Sequence, residues 1–317
     1  MNMKKTLLSL LLVLSASLSA MAQLTDYSIF KKHFNIFIAN DLGRNGYYDQ
    51  KPIAELMGQM AEAGANPEFV VATGDVHHFD GVASVNDPLW LTNYELIYSH
   101  PELMIAWHPL LGNHEYRGNT QAVMDYSHVS RRWQMPARYY TQRYEHKGMT
   151  MRILWIDTTP LISKYRDDRE QYPDAALQDD EAQLAWIDSV LTAATEQWVI
   201  VCGHHPIYAE TPKEEAERAD LQRRLDPILR KHHVDIYLCG HIHNFQHLRV
   251  EGSDIDYVVN SAGALSRKVE PIEGTRFCSP EPGFSILSAN KEQLILRMVD
   301  KRGNILYELK RSSNSKR

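Results

Sequence analysis

The sequence predicts a single α/β domain in which two sheets pack face to face with helices on the outside. Up to Phe245, apolar runs typical of buried strands alternate with helical patterns, and beyond it short strands follow one another. The 317 residues are 44% hydrophobic and 23% charged, which suits one large core or two modest ones. No linker, low-complexity stretch or repeat of fixed period divides the chain.

The first part of the chain supplies the alternating strands and helices. The helix expected at 53–63 places Leu56, Met57 and Met60 on one face, and similar spacing marks the later helices. Strands are expected at 34–39, 69–73, 105–111, 151–156, 198–202 and 236–239, and helices at 53–63, 177–194 and 214–231. This order is that of successive βα units.

The last part of the chain is rich in short strands. They are expected at 257–260, 284–287, 294–299 and 305–309. Gly303 and Asn304 are typical of a tight hairpin between the last two. A β-rich end therefore follows the βα units.

Residues 1–22 have the pattern of a secretory signal peptide, and residues 23–317 are expected to form the single domain. Lys4 and Lys5 precede an apolar run, and Ala20 and Ala22 form a small-residue cleavage site. The run is too short for a retained membrane anchor, and no later run is long enough. We therefore expect a protein that is exported to a periplasm or secreted, with no stable membrane insertion.

The charge and the cysteine content exclude two further classes. The formal net charge is −6, and cleavage would remove two lysines and no acids, giving −8. This acidic balance disfavours nucleic-acid binding, which needs a basic face. With three cysteines the chain has no disulfide framework. Cys202 and Cys239 end apolar runs and are expected in the core, whereas Cys278 lies in a predicted loop.

Five of the apolar runs end in short polar clusters. Parallel α/β folds place their sites at the carboxyl ends of strands, and a glycine there permits a sharp exit from the strand. The clusters are residues 40–43 (NDLG), 74–78 (GDVHH), 112–115 (GNHE), 203–206 (GHHP) and 240–244 (GHIHN). Each motif alone is a weak signal, but the five in this order predict one shared site.

The clusters contain seven of the chain's 15 histidines together with carboxylates and an amide. They are His77, His78, His114, His204, His205, His241 and His243, with Asp41, Asp75 and Asn113. A ligand set of oxygen and nitrogen without thiolate suits Mn, Fe or Zn. The set exceeds what one ion needs, so two ions bridged by one carboxylate are expected.

The motifs and their order resemble those of the calcineurin-like metallophosphoesterases, and within them the small purple (tartrate-resistant) acid phosphatases. The segments 113–119, 126–133, 136–140 and 260–264 resemble that subfamily as well, and the resemblance covers nearly all of 30–311. It implies a four-layer α/β/β/α sandwich of two mixed sheets flanked by helices. It also implies two metal ions, Fe, Mn or Zn, as cofactors.

The resemblance assigns a role to each site residue. Asp41 and His243 would hold the first ion, and Asp75 would bridge both ions. His114 would be the catalytic acid that protonates the leaving-group oxygen, or would hold the substrate phosphate, and Glu115 beside it could orient that imidazole. The ligands implied for the second ion are Asn113, His204 and His241.

One position departs from the subfamily. Purple phosphatases have Gly-Asp-x-x-Tyr after the second strand, and the tyrosinate binds ferric iron and gives the colour. This sequence has His78 at that position, and Gly43 stands where other metallophosphoesterases have the histidine of Asp-x-His. His78 could supply the missing ligand, which would favour two divalent ions without the purple band and a working pH nearer neutral. Alternatively, His78 points away and the first ion lacks that ligand.

The expected function is hydrolysis of small phosphate monoesters by a metal-bound hydroxide, as in an acid phosphatase. One alternative is a phosphodiesterase or nucleotidase on the same site, because Arg44, Tyr47 and Tyr48 could grip phosphate or stack on a base. These three residues could equally form a surface loop. A second alternative is a non-catalytic metal-binding protein. Residues 265–282 could overhang the site or form a solvated loop.

Overall fold

The computed structural model describes residues 24–212 and 215–313. The predicted signal peptide lies outside these residues. The strands are β1 (Phe34–Ile38), β2 (Pro67–Ala72), β3 (Ala106–Pro109), β4 (Tyr140–His146), β5 (Met149–Trp155), β6 (Trp198–Cys202), β7 (Ile236–Cys239), β8 (Phe245–Leu248), β9 (Asp256–Asn260), β10 (Thr275–Ser279), β11 (Gly283–Ala289), β12 (Gln293–Asp300) and β13 (Ile305–Ser312). The α-helices are α1 (Gln50–Met60), α2 (Thr120–Asp125), α3 (Ser163–Asp167), α4 (Asp180–Ala193), α5 (Glu215–Arg224) and α6 (Asp226–Lys231).

The structure contains two mixed sheets flanked by helices, as predicted. The first sheet has the order β13-β12-β11-β1-β2-β3, and the second has the order β10-β8-β9-β7-β6-β5-β4. In the first sheet β1, β2 and β3 run parallel, and in the second β5, β6, β7 and β9 run parallel. The carboxyl ends of the parallel strands therefore gather at one edge of each sheet.

The last three strands complete the first sheet. β11 pairs antiparallel with β1, and β12 and β13 follow as antiparallel neighbours. All five residues of β1 and all seven of β11 are buried. A strand in the middle of a sheet that is covered on both faces is predominantly apolar, and in β1 the one polar residue, Asn35, donates a side-chain hydrogen bond to the Phe30 carbonyl at 3.0 Å.

Three strands were not predicted because they lack such a run. β4 and β10 are the edge strands of the second sheet, and their residues are largely half-buried or exposed. An edge strand with a solvated face carries polar residues, so periodicity alone does not reveal it. β10 also shows that 265–282 is not one loop. β8 follows the fifth motif directly and has four residues.

The helix predicted over 214–231 is two helices, α5 and α6, separated at Leu225. Pro227 is the reason, because proline lacks an amide hydrogen and its ring clashes with the carbonyl four residues earlier in a continuous helix. The helix predicted over 177–194 begins at Asp180, where the Asp179 carboxylate accepts a hydrogen bond from the Ala182 amide at 2.9 Å.

Cys202 and Cys239 are buried core residues and Cys278 is partly buried, and all three are free thiols. The prediction of core cysteines is thus confirmed for the first two. No helix within the described residues is long and apolar enough to cross a membrane.

Candidate metal centre

The five polar clusters meet between the two sheets. Loops after β1, β2 and β3 bring Asp41, Asp75 and Asn113 from the first sheet. Loops after β6 and β7 bring histidines from the second sheet. These second-sheet residues are His204, His241 and His243.

Four of the candidate ligands have a left-handed backbone that non-glycine residues rarely adopt. The φ angles are 57° at Asp41, 53° at Asp75, 79° at His241 and 59° at His243. Such conformations cost about 1 kcal/mol or more each and persist where the surrounding structure enforces them. Their concentration at the ends of three strands marks this edge as a functional site rather than a set of ordinary turns.

Two glycines leave room for the two carboxylates. A Cβ built on Gly112 would clash with Asp75 Oδ1, and one on Gly240 would lie 2.5 Å from Asp41 Oδ2. Any larger residue at either position would therefore displace a candidate ligand. This close approach explains why glycine opens both the third and the fifth motif.

Asp75 lies at the centre of the site. Its Oδ2 lies 3.2 Å from His204 Nε2, 3.4 Å from His78 Nε2 and 3.9 Å from His114 Nε2. Its Oδ1 accepts a hydrogen bond from the His114 backbone amide at 3.0 Å. Burial alone would raise the pKa of Asp75, but the surrounding imidazoles hold that pKa well below its usual range.

One side of the site joins Asp41, His78 and His243, whose candidate ligand atoms all lie within 4.8 Å of one another. The Asp41 carboxylate accepts hydrogen bonds from Ser261 Oγ at 2.7 Å and from the His241 amide at 3.0 Å. These bonds fix the carboxylate without using all of its lone pairs. His78 thus faces the site and does not point away from it.

The other side joins Asp75, His204 and Asn113. His204 Nδ1 donates to the Thr73 carbonyl at 2.7 Å, and His204 Nε2 lies 3.2 Å from Asn113 Oδ1. Burial opposes a charge on His204, yet Asp75 and Asp41 raise the pKa of His204 to about 10. The two carboxylates thus favour a positive charge at His204, and a bound metal ion would supply that charge in place of the proton.

The donor set fits metal ions. Within residues 24–212 and 215–313, both ring nitrogens of His78 and the Nδ1 atoms of His241 and His243 are buried without a hydrogen-bond partner. Buried polar atoms are normally paired, because an unpaired one costs about 1–3 kcal/mol. Unpaired imidazole nitrogens beside two buried carboxylates are the donors that a divalent ion requires.

His114 lies at the mouth of the cluster. Its Nδ1 lies 2.6 Å from the Phe79 carbonyl, which can only accept, so Nδ1 carries the proton and Nε2 faces the site. Burial lowers the pKa of His114 to about 3 in spite of the Asp75 charge. The ring is therefore neutral at pH 7 before any substrate enters.

Glu115 does not orient His114 in the way that the sequence suggested. Its carboxylate instead accepts hydrogen bonds from the backbone amides of Asp75 at 2.9 Å, Gly112 at 2.8 Å and His77 at 3.0 Å. The loops after β2 and β3 are thus tied to one another. Burial raises the pKa of Glu115 to about 7.

Glu217 is a site residue that no motif revealed. Its Oε2 accepts from His241 Nε2 at 3.1 Å, and the residue is almost completely buried in α5. Because Nε2 donates to Glu217, the other nitrogen of His241 is left as the unprotonated one that can bind a metal ion. Oε1 accepts from Tyr165 Oη at 2.6 Å and from Lys164 Nζ at 2.8 Å.

Two motif histidines have other partners. His205 contacts Thr158 Oγ1 through Nδ1 at 2.8 Å and Tyr165 Oη through Nε2 at 3.0 Å. His77 packs edge-on against Trp90 with ring centroids 4.3 Å apart, and burial lowers the pKa of His77 to about 3. His77 belongs to none of the groups of candidate ligands. His205 lies in one group with His204 and His241, but both of its ring nitrogens already have hydrogen-bond partners.

The cluster opens into a polar cleft of about 180 Å³. Arg117, Lys164 and Arg267 line it together with Tyr172 and Thr211. Three basic side chains around a site that holds two carboxylates favour an anionic ligand. Arg267 belongs to 265–282, so the start of this segment overhangs the site.

Comparisons with known proteins agree with the fold. A family model described as calcineurin-like phosphoesterase matches residues 34–245. Tartrate-resistant acid phosphatase type 5 of Sus scrofa is 35% identical over 201 residues, covering 62% of this chain and 58% of that protein. The Rattus norvegicus protein of the same name is 35% identical over 257 residues, covering 76% and 77%. The chain thus spans little more than half of the pig relative.

A solved structure of GAP50, described as the anchor in the inner membrane complex of Plasmodium, superposes with a TM-score of 0.76. It is 22% identical and covers 90% of this chain and 91% of that one, and this likeness shows the fold. The chain belongs to the calcineurin-like phosphoesterase family. Its curated relatives are tartrate-resistant and purple acid phosphatases, as the motifs predicted. Proteins of this fold have dinuclear metal centres, and several His and Asp groups of this chain could bind metal ions.

Proposed function

We propose that the protein is a metal-dependent phosphomonoesterase whose two ions are held by the residues of the candidate metal centre. The observation that supports this proposal is the convergence of unpaired imidazole nitrogens on Asp41 and Asp75 beneath a basic cleft. The substrate class is taken from the relatives, which are acid phosphatases by name.

Each side of the centre would hold one ion. Asp41, His78 and His243 form one group, and Asp75 lies between the two groups as the bridging ligand. The ligands of the other ion would be Asn113, His204 and His241. Bound there, the ions would neutralise phosphate charge and activate water for in-line attack.

His78 gives the first ion a neutral nitrogen where the purple enzymes have a tyrosinate. Its Nε2 lies 3.4 Å from Asp75 Oδ2, a distance that suits two ligands of the same ion. A neutral ligand favours divalent over trivalent iron, because it compensates less positive charge. We therefore expect a centre of two divalent ions without the visible tyrosinate band and with activity nearer neutral pH.

His114 would act on the leaving group. In hydrolysis, water adds to phosphorus, the ester P–O bond breaks, and the departing oxygen takes a proton. His114 Nε2 faces the site while its Nδ1–H is held by the Phe79 carbonyl. A phosphate dianion beside the ring favours the imidazolium and so raises its pKa from the low value that burial imposes. The imidazolium would carry a second proton, taken up from solvent, on Nε2. This proton would pass to the departing oxygen, and the ring would return to the neutral form with its Nδ1–H in place.

We also propose that the protein is exported, since residues 1–22 have the signal-peptide pattern and residues 23–317 would form the single exported domain. Secretion can be tested by fractionating cells that express the full chain. Recovery of the protein with the cytoplasmic fraction and an uncleaved amino terminus would contradict it.

The activity is tested by metal analysis of the purified protein and by turnover with added Mn, Zn or Fe. A monoester and a diester of the same leaving group separate a phosphatase from a phosphodiesterase. Asp75→Asn should lose metal and activity together, while the exposed replacement Glu215→Asn keeps both. Failure to hydrolyse any monoester with any of these metals would contradict the proposal.

A further inference from the structure

Three aromatic side chains are exposed beside the metal centre. The exposed fractions are 73% for Tyr47, 63% for Tyr48 and 64% for Phe79. Together with Arg44 they line a recess, here called the aromatic recess. Exposed aromatic groups gathered in one place indicate a surface that is covered by a ligand or partner.

The loop that carries the tyrosines is held in a preformed shape. Gln50 Oε1 accepts from the Gly46 amide at 2.8 Å, and Asn93 Oδ1 accepts from the Asn45 amide at 2.6 Å. Tyr48 has a left-handed backbone with φ of 54°. A loop that is already ordered loses little entropy when it binds a ligand.

The aromatic recess is continuous with the metal centre. His78 lines the recess and belongs to the candidate ligand groups. The Phe79 ring centroid lies 6.2 Å from that of His114. Because His114 would protonate the leaving-group oxygen, the substituent on that oxygen would extend towards Phe79.

Arg44 connects the two regions. Its guanidinium carbon lies 4.9 Å from the centroid of the Phe79 ring, and its Nη2 lies 3.4 Å from His243 Nε2. The cation covers one face of Phe79 and leaves the other parts of this exposed ring accessible. A planar aromatic group can stack on Phe79 or on the exposed tyrosines at little cost in side-chain entropy.

We propose that the aromatic recess binds a planar aromatic ring in the leaving group of the phosphate monoester. This inference rests on the proposed phosphatase function and narrows its substrate class to aryl or nucleoside monophosphates. Stacking on exposed aromatic side chains tolerates different rings, so the aryl group of one ester and the base of the other would be bound by the same kind of contact.

Two substrate pairs test the inference. Adenosine 5′-monophosphate and ribose 5-phosphate have the same leaving oxygen with and without a base. Benzyl phosphate and cyclohexylmethyl phosphate compare a planar ring with a saturated one on a primary alcohol. We expect kcat/KM to favour the aromatic member by about tenfold, a typical effect of one stacking contact. A preference in the first pair alone identifies nucleosides, and one in the second alone identifies aryl groups.

Variants locate the preference. Phe79→Ala and Tyr48→Ala should lower the ratio of aromatic to non-aromatic kcat/KM several-fold, and Phe79→Tyr should retain it. The ratio is measured within one preparation, so it does not depend on how much of a variant folds. The control is Leu177→Ala, at a side chain that is 74% exposed on a 3-10 turn (Ala175–Leu177).

Equal kcat/KM within both pairs would overturn the inference while leaving the phosphatase function intact. A preference that survives both alanine substitutions would also overturn it, because another surface would then hold the ring. Failure to hydrolyse any of the four esters would instead contradict the proposed function itself.

Discussion

Replacing Glu217 by glutamine should weaken metal binding through the tautomer of His241. Oε1 of Glu217 accepts from two donors, Tyr165 Oη and Lys164 Nζ, so a glutamine would keep its carbonyl oxygen there. Its amide NH₂ would then face His241 Nε2, 3.1 Å away. Two donors cannot pair, so the His241 proton would move to Nδ1, the nitrogen that faces the metal centre.

The magnitude follows from the bond that is lost. A hydrogen bond to a charged acceptor contributes about 1.5–3 kcal/mol. This corresponds to a fall of about 10–150-fold in affinity, and changes around metal-bound histidines typically cost 10–100-fold. We therefore expect the affinity for one of the two ions to fall by about 10–100-fold, while the other ion is retained.

Competition with a metal-binding fluorescent chelator measures the two affinities, and ¹⁵N NMR of the imidazole reports the tautomer. Glu215→Gln is the matched control, because Glu215 is an exposed carboxylate on the same helix. Two ions bound by Glu217→Gln with unchanged affinity would refute the reasoning. So would weaker binding in which His241 keeps its proton on Nε2.

Other outcomes can be stated for three further sites. His114→Ala should keep both metal ions and lose turnover most strongly with poor leaving groups; full activity on an alkyl phosphate would remove its role as the acid. His78→Tyr loaded with ferric iron should gain a visible charge-transfer band that the native protein and His78→Phe lack, and a band in the native protein would contradict this. Burial raises the pKa of Asp157 from 3.8 to about 7 in the folded protein, so stability falls as pH rises through this range. Asp157→Asn removes that loss. The free energy of unfolding in urea of this variant, minus that of the native protein, should therefore be ~2–4 kcal/mol larger at pH 8 than at pH 4; equal differences at the two pH values would exclude this mechanism.

The strand ends were predictable because burial and chain exit both leave local signals. A buried parallel strand such as β6 is a continuous apolar run, and the glycine after it starts the motif that contains His204. Edge strand β4 gave no such run, because one of its faces is solvated. The spacing of apolar residues predicted one helix over 214–231, although Pro227 is a local signal for the break at Leu225.

The supporting residues of the site were not predictable in the same way. Glu217 lies in a helix 24 positions before His241, and only tertiary packing brings the two together. Glu115 stands inside a motif, yet its neighbour in sequence is not its partner, because its carboxylate turns back to the amides of Asp75 and Gly112. The exposure of Phe79 likewise follows from the folded surface and not from its local sequence.

The position of the metal centre between two sheets has a mechanical consequence. Among the residues that the structure describes, the two sheets share no strand pairing, and the candidate ligands come from the loops of both. Bound ions would therefore act as a cross-link between the two halves of the domain, in a chain whose cysteines are all free. In many exported proteins disulfides provide such cross-links, whereas here metal–ligand bonds would do so. Removal of the metal ions would therefore lower the stability of the fold as well as abolish the site.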